Sequence, residues 1–258
     1  MPSISEGQNM VSTAELTGQM ALVTGAGRGL GRAIALRLAA AGAGVHMVDR
    51  DGDLVEGAAA DLAAQGFKVF PHEADVTDEA SLVRLRAQVT RTAERLDILV
   101  NNAGGWRHAR YDEITIEDWR WTFDTNVLSV LLCSRRFADL MIARRYGRIV
   151  NIASVDAHRA KPTLPHYAAA KAAVVSLTKS LAEELAPHQV LVNAVSPGGI
   201  ATEAAKAQSW LAESIPKVPV RRAAEPEDIA EVVAFLASPR NRFVVGETVI
   251  ASGGALMA

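Results

Sequence analysis

The stretch "HYAAAKAAVVSLTKSLAEEL", residues 166–185, has the apolar spacing of a helix and carries a tyrosine and a lysine near its start. Tyr167 and Lys171 are four residues apart, which sets a phenol and an ammonium group one turn apart on one helix face. The positions between them are alanines, so the surrounding surface leaves room for another molecule. A free phenol has a pKa of about 10, too high for an efficient proton acceptor near neutrality. A nearby ammonium group favours the phenolate and lowers that value. Thirteen residues before Tyr167, Ser154 ends an apolar run and offers a hydroxyl that can donate to an oxygen as its charge changes. A hydroxyl, a phenol and an ammonium group converging on one point suit the movement of a proton while a hydride moves to or from a nicotinamide.

A second cluster lies at "TGAGRGLG", residues 24–31. It follows the short apolar run "MALVTG" and opens an alanine-rich amphipathic segment, so it reads as a turn from strand to helix. Glycines there let the backbone turn tightly and approach a pyrophosphate, to which the helix start offers free N–H groups and partial positive charge. The strict G-x-G-x-x-G spacing is not met, because Gly25, Gly27, Gly29 and Gly31 recur in twos. The next strand ends at Asp49, eighteen residues after Gly31, where a carboxylate can accept hydrogen bonds from an adenosine ribose. A carboxylate there would repel a 2′-phosphate, which favours NAD over NADP. Arg28 and Arg50, on either side of this position, could attract a phosphate and keep NADP open.

Such groups need strands that end side by side. From residue 19 onward, short β-branched runs alternate with amphipathic segments: "MALVTG", "GVHMVDR", "KVFPHEADV", "DILVNNAG", "GRIVNIAS", "QVLVNAVSPG" and, last, "ETVIAS". Helical patterns separate them, with one or two helices expected between Ile116 and Arg145. Almost uniformly apolar strands in β–α alternation imply a parallel sheet of about seven strands with helices on both faces, a single doubly wound α/β domain over residues 18–258. No linker, repeat or charge block justifies a further cut. Residues 1–17 are polar and read as a loose N-terminal extension without the features of a signal peptide.

Composition narrows the function classes. A net charge of −2 and a pI near 6.3 give no polyanion-binding surface, and no basic helix or zinc pattern supports nucleic-acid binding. No apolar run is long enough to span a membrane. A single cysteine, Cys133, fits a reducing, cytoplasmic setting and reads as a core residue. No tight cluster of ligands suggests a metal.

Taken together, these features resemble the short-chain dehydrogenase/reductase family, with a Rossmann-type fold. "TGAGRGLG" looks like its T-G-x-x-x-G-x-G turn, "NNAG" (101–104) its strand-4 motif, "YAAAK" its Y-x-x-x-K, and "SPGGIAT" (196–202) its P-G motif followed by a threonine. The resemblance covers residues 18 to about 254. It implies that Tyr167 is the general acid/base, that Lys171 lowers its pKa and binds the nicotinamide ribose, that Ser154 orients the substrate oxygen, and that Asn126 in "FDTNVLS" anchors a lysine-linked water. It further implies cofactor contacts at Gly25, Arg28, Gly29, Leu30 and Gly31 of the turn, at Asp49, and at Asp75 and Val76 beside the adenine. Asn102, Ala103 and Gly104, with Pro197, Gly198, Ile200 and Thr202, would complete the cofactor site, and Tyr167 and Lys171 would touch it too. The family's usual aspartate before two glycines is replaced in "VIASGG" by Ser252, which bears on C-terminal packing or subunit contacts more than on catalysis. A homo-oligomer is implied, a tetramer or a dimer, with helices around Val127–Arg145 and 165–185 at one interface.

Substrate choice should come from loops at 104–113, 154–166 and 198–219, the last forming a mobile lid in the family. Arg107, His108, Arg110, His158, Arg159 and Lys161 would give the first two a basic rim, suited to a carboxylate-bearing or polyhydroxylated substrate, unless they are ordinary solvated charges. Trp106, Arg107, Asp156, His158 and Trp210 are the candidate substrate residues. The leading expectation is an NAD-dependent oxidoreductase acting on a secondary alcohol, sugar, polyol or hydroxy acid, or on the corresponding ketone. The alternatives are an NADPH-dependent reductase of 3-oxoacyl thioesters and a non-catalytic dinucleotide sensor or scaffold.

Overall fold

The computed structural model describes residues 15–257. Strands and helices alternate from the start: β1 (Met20–Thr24), α1 (Gly29–Ala40), β2 (Gly44–Asp49), α2 (Gly52–Ala64), β3 (Val69–Glu73), α3 (Glu79–Thr92) and β4 (Ile98–Asn101). There follow α4 (Ile116–Phe123), α5 (Ser129–Arg144), β5 (Gly147–Ile152), α6 (Pro165–Leu185) and β6 (Val190–Pro197). Two short helices, α7 (Glu203–Lys206) and α8 (Ser209–Ser214), precede α9 (Pro226–Ala237) and β7 (Thr248–Ala251). All seven strands are parallel, in the order β3-β2-β1-β4-β5-β6-β7. The expected doubly wound, Rossmann-type sheet is therefore present.

Burial explains which strands are purely apolar. Every residue of β1, β4, β5 and β6 is buried, whereas β3 and β7, at the edges, are half-exposed along their length. Pro71 sits in edge strand β3, where a missing N–H costs no central ladder bond. One core packs Ile34, Leu38, Met47, Val55, Leu62 and Val233 under α1, α2 and α9. The opposite core packs Leu22, Leu82, Leu85, Leu99, Phe137 and Met141 under α3 and α5. Leu16 lies fully buried in the first core and its N–H donates to the carbonyl of Ala41 at 2.9 Å. The expected loose segment over 1–17 thus does not reach Leu16; residues 1–14 lie outside the described residues.

Two polar lines cross the cores. Asn101 Nδ2 donates to Asn151 Oδ1 (2.8 Å), Asn151 Nδ2 to Thr178 Oγ1 (2.9 Å), and Thr178 Oγ1 to the carbonyl of Val174 (2.8 Å), tying β4 and β5 to α6. Under α3, His46 Nδ1 lies 2.8 Å from His72 Nε2, and His72 Nδ1 lies 3.0 Å from Gln88 Oε1. Because the amide oxygen only accepts, His72 carries its proton on Nδ1, so His46 must donate from Nδ1. That leaves His46 Nε2 bare, and this buried atom has no hydrogen-bond partner among the described residues. Burial lowers both imidazoles, His46 to about 3.

Candidate active site

A parallel sheet puts all strand C-termini at one edge, and the order reverses between β1 and β4, opening a crevice there. On the β1 side the chain turns through Gly25 and Gly29, at φ +64° and +54°, conformations that favour glycine. A Cβ at Gly31 would fall 2.0 Å from the carbonyl oxygen of Gly25, so the turn and α1 touch backbone to backbone. Asn102 Nδ2 donates to the carbonyls of Thr24 and Gly25 at 2.9 and 3.2 Å, while Thr24 Oγ1 accepts from the N–H groups of Asn102 and Ala103 at 3.0 and 2.9 Å. The "NNAG" segment therefore acts as a clamp on the glycine turn.

The start of α1 differs from its neighbours. Asp51, Asp78 and Thr115 cap α2, α3 and α4 with side-chain oxygens, but Arg28 at the start of α1 makes no such bond and the first turn has no acidic residue. The N–H groups and the glycine cradle fit a pyrophosphate. Asp49 Oδ2 accepts from the Gly27 N–H at 3.1 Å and Oδ1 from the Asp51 N–H at 3.3 Å, which fixes its carboxylate beside the turn. Glu73 is its register partner on β3, so the surroundings are acidic despite exposed Arg28 and Arg50. Asp75 Oδ1 accepts from the N–H and Oγ1 of Thr77 at 2.8 and 2.7 Å, with Val76 buried beside it. The Thr202 methyl would lie 3.3 Å from a Cβ at Gly29, bringing the segment after β6 onto the glycine turn. These residues fit a nicotinamide dinucleotide.

Past β4 and β5 the expected catalytic residues meet. The helix running from α4 into α5 has a π-helical segment over Asp124–Leu128, and this wide turn carries Asn126. Asn126 is fully buried; its Nδ2 donates to the carbonyls of Gly105 and Thr122 at 2.8 and 2.9 Å. A Cβ at Gly104 would be 2.8 Å from Asn126 Oδ1 and 3.3 Å from Lys171 Nζ, so all three residues share one small space. Lys171 is buried and donates to the carbonyl of Ile152 at 2.8 Å; burial lowers its ammonium to about 8. Its Nζ stands 5.7 Å from the centroid of the Tyr167 ring.

The Tyr167 phenol is not lowered by the chain alone, contrary to expectation. Burial raises it first, Asp156 raises it further, and hydrogen bonding with Ser154 only partly offsets this. Ser154 Oγ accepts the N–H of Asp156 at 3.1 Å and starts the 3-10 turn Val155–Ala157. The Ser154 hydroxyl is thereby held by the Asp156 N–H and hydrogen-bonded to the Tyr167 phenol, so the two hydroxyls meet at the crevice.

The substrate-loop expectations fare unevenly. Trp106 stands edge-on to Tyr167, with ring centroids 5.8 Å apart, and is half-exposed at the mouth. Trp210 packs instead into a small core of the third loop with Ala201, Ala205 and Leu211. The expected basic rim is largely neutralised. Arg107 pairs with Asp118 (3.0 Å), Arg110 contacts Asp112 (3.8 Å), and Arg159 and Lys161 both face Asp156 (3.1 and 3.8 Å). His158 Nε2 bonds Ser196 Oγ at 2.9 Å. His166 is fully buried, and among the described residues neither ring nitrogen has a hydrogen-bond partner. Ser252 Oγ accepts from the Leu256 N–H at 3.1 Å, a C-terminal packing role as expected. Cys133 is buried and burial pushes its thiol up to about 12. Sequence reasoning missed Thr24 and the carbonyl of Ile152, both of which position the site.

Residues 25–255 match a family model described as enoyl-(acyl carrier protein) reductase. A 3-oxoacyl-[acyl-carrier-protein] reductase of Synechocystis is 38% identical over 94% of this chain and 98% of its own. The crystal structure of a short-chain type dehydrogenase/reductase from Mycobacterium marinum superposes with a TM-score of 0.91 at 35% identity, covering 96% of this chain and 99% of the other. A 3-oxoacyl-[acyl-carrier protein] reductase from Brucella melitensis with bound NAD gives 0.89 at 33% identity, covering 96% and 94%. With such a sheet and such relatives, the fold and the sequence define a nicotinamide-dependent oxidoreductase class. The chain belongs to the short-chain dehydrogenase/reductase family.

Proposed function

We propose that this protein is an NAD(H)-dependent oxidoreductase that interconverts a secondary alcohol and a ketone of the sugar, polyol or hydroxy acid class. The observation that carries the reading is the convergence of Ser154, Tyr167, Lys171 and Asn126 at the crevice beside the glycine turn. A nicotinamide dinucleotide held by these residues would supply the hydride donor or acceptor. Tyr167 gives its proton to the ketone oxygen in reduction and takes it from the alcohol in oxidation. Ser154 turns its hydroxyl proton to the same oxygen and holds it in place. Lys171 has two protons left after the Ile152 bond, for ribose hydroxyls and for a water anchored near Asn126. Asp49, fixed by two backbone N–H groups, accepts from the adenosine ribose and disfavours a 2′-phosphate.

A second reading, an NADPH-dependent reductase of 3-oxoacyl thioesters, draws its substrate class from the two 3-oxoacyl-[acyl-carrier-protein] reductases among the relatives, of which the Brucella melitensis one holds NAD. Paired titrations with NADH and NADPH, followed by nicotinamide fluorescence, separate the two. Much tighter NADH binding supports the first reading. Tighter NADPH binding replaces it with the second, and binding of neither sinks both.

A further inference from the structure

Asp156 is a buried charge that the proton chemistry leaves unexplained. The residue is 9% exposed and lies two positions after Ser154, in a 3-10 turn closed by its own N–H on Ser154 Oγ and by the Ala157 N–H on the Ser154 carbonyl. This turn packs on α6, the helix that carries Tyr167 and Lys171. A carboxylate has about four acceptor positions. Among the described residues the Asp156 carboxylate accepts one hydrogen bond, from Arg159 Nε to Oδ1 at 3.1 Å. Lys161 Nζ, 3.8 Å from Oδ2, is an ion contact too long for a hydrogen bond. Two cations thus face the carboxylate, yet among the described residues Oδ2 accepts no hydrogen bond. It lies within electrostatic reach of the Tyr167 phenol, which its charge helps to keep protonated.

A carboxylate with an open acceptor position, on the turn whose backbone holds Ser154 Oγ, is a poor bed for an alkyl chain and a good partner for a hydroxyl. We propose that Asp156 is a specificity residue whose Oδ2 accepts a hydrogen bond from a hydroxyl on the carbon next to the one that exchanges hydride. The substrate is then a polyol or hydroxyketone, not a 3-oxoacyl thioester. This rests on the oxidoreductase reading above and narrows it.

Two matched pairs test the proposal: glycerol against isopropanol with NAD, and dihydroxyacetone against acetone with NADH. Each pair shares a three-carbon skeleton and differs in the flanking hydroxyls. The wild-type kcat/KM ratio should favour the hydroxylated member at least roughly ten-fold, and Asp156→Val should reduce that ratio about ten- to a hundred-fold. Asp156→Asn, which keeps an acceptor without charge, should fall between. NADH titration of each variant establishes that the fold and cofactor site survive. A ratio unchanged in both variants, with both members slowed alike, makes Asp156 a loop staple and overturns the proposal alone. So does a wild-type enzyme that turns over these probes through Tyr167 without preferring hydroxyls, or one that prefers a 3-oxoacyl thioester. Loss of all NAD-linked turnover in wild type, or turnover undiminished in Tyr167→Phe, overturns the oxidoreductase reading and this proposal with it.

Discussion

Lys171 Nζ donates to the carbonyl oxygen of Ile152 at 2.8 Å, two residues before Ser154. One buried bond thereby sets the distance between the helix that carries the phenol and the strand end that carries the serine. A lysine in a buried setting is costly unless its protons find acceptors, and this carbonyl supplies one at a fixed point.

Removing the proton carrier without changing its shape should separate binding from chemistry. Tyr167→Phe is expected to bind NADH nearly as the parent does and to lose about a hundred-fold or more in kcat. Ser154→Ala should lose a comparable factor, with a smaller change in NADH affinity. Steady-state rates and nicotinamide fluorescence on the same preparations check both statements.

The chain holds the phenol above its ordinary range, chiefly through burial. The protonated form is the proton donor for reduction, so the reductive kcat/KM should stay flat from neutral pH well into the alkaline range. Oxidation needs the deprotonated form, so its kcat/KM should climb with pH across the same interval. A flat reductive profile beside a rising oxidative one, measured with one alcohol–ketone pair, supports Tyr167 as the titrating group. Parallel profiles would remove it from that role.

The His46–His72 pair makes a stability prediction with a definite sign. Both folded-state values lie below the unfolded value of 6.5, with Lys68 and Arg91 adding to the effect of burial and Gln88 opposing it at His72. Stability from the pair is complete above pH about 6.5 and drains away as acid protonates the unfolded chain first, by up to about 1.4 kcal/mol per pH unit for each imidazole. Urea unfolding between pH 7.5 and pH 5 should show this loss. The double variant His46→Phe, His72→Phe should flatten the slope whatever its absolute stability.

A methyl at Gly31 meets the Gly25 carbonyl oxygen, fixed backbone, at 2.0 Å, and the Asn102 amide nitrogen at 2.6 Å. Gly31→Ala should push the glycine turn away from α1, costing about 1–3 kcal/mol of stability and most of the NADH affinity. Circular dichroism and titration together distinguish a displaced turn from an unfolded chain. Retained affinity would mean that the turn does not hold the dinucleotide.

Thr178 links the ladder from Asn101 and Asn151 to the backbone of α6. Thr178→Val keeps the volume and strands the Asn151 amide, so about 1–3 kcal/mol should be lost. Thermal unfolding measures this directly.

Much of this architecture is written locally. Uniformly apolar runs such as "GRIVNI" announce a strand buried on both faces, and the glycine turn, Asp49, Ser154, Tyr167 and Lys171 stand out because their types and spacing carry a chemical reason. What stayed hidden depends on partners distant in sequence or on the environment. The pattern from Ile116 to Arg144 is helical throughout, and nothing in it marks the π-helical segment that places Asn126. Arg107 looks like a free loop charge until Asp118 is folded against it. The raised Tyr167 phenol comes from burial, which spacing does not reveal. Leu16 reads as part of a polar tail, yet the core extends to it.

The reversal of strand order between β1 and β4 also divides labour along the gene. The glycine turn, Asp49 and Asp75 all come from the first third of the chain, while Asn126, Ser154, Tyr167 and Lys171 come from the middle. Substitutions that alter which nucleotide is held and substitutions that alter which compound is transformed therefore fall in separate stretches of sequence. Selection can revise either choice while the other half stands still, the two being joined through the β1–β4 pairing and at the seam where Asn102 grips Thr24 and Gly25.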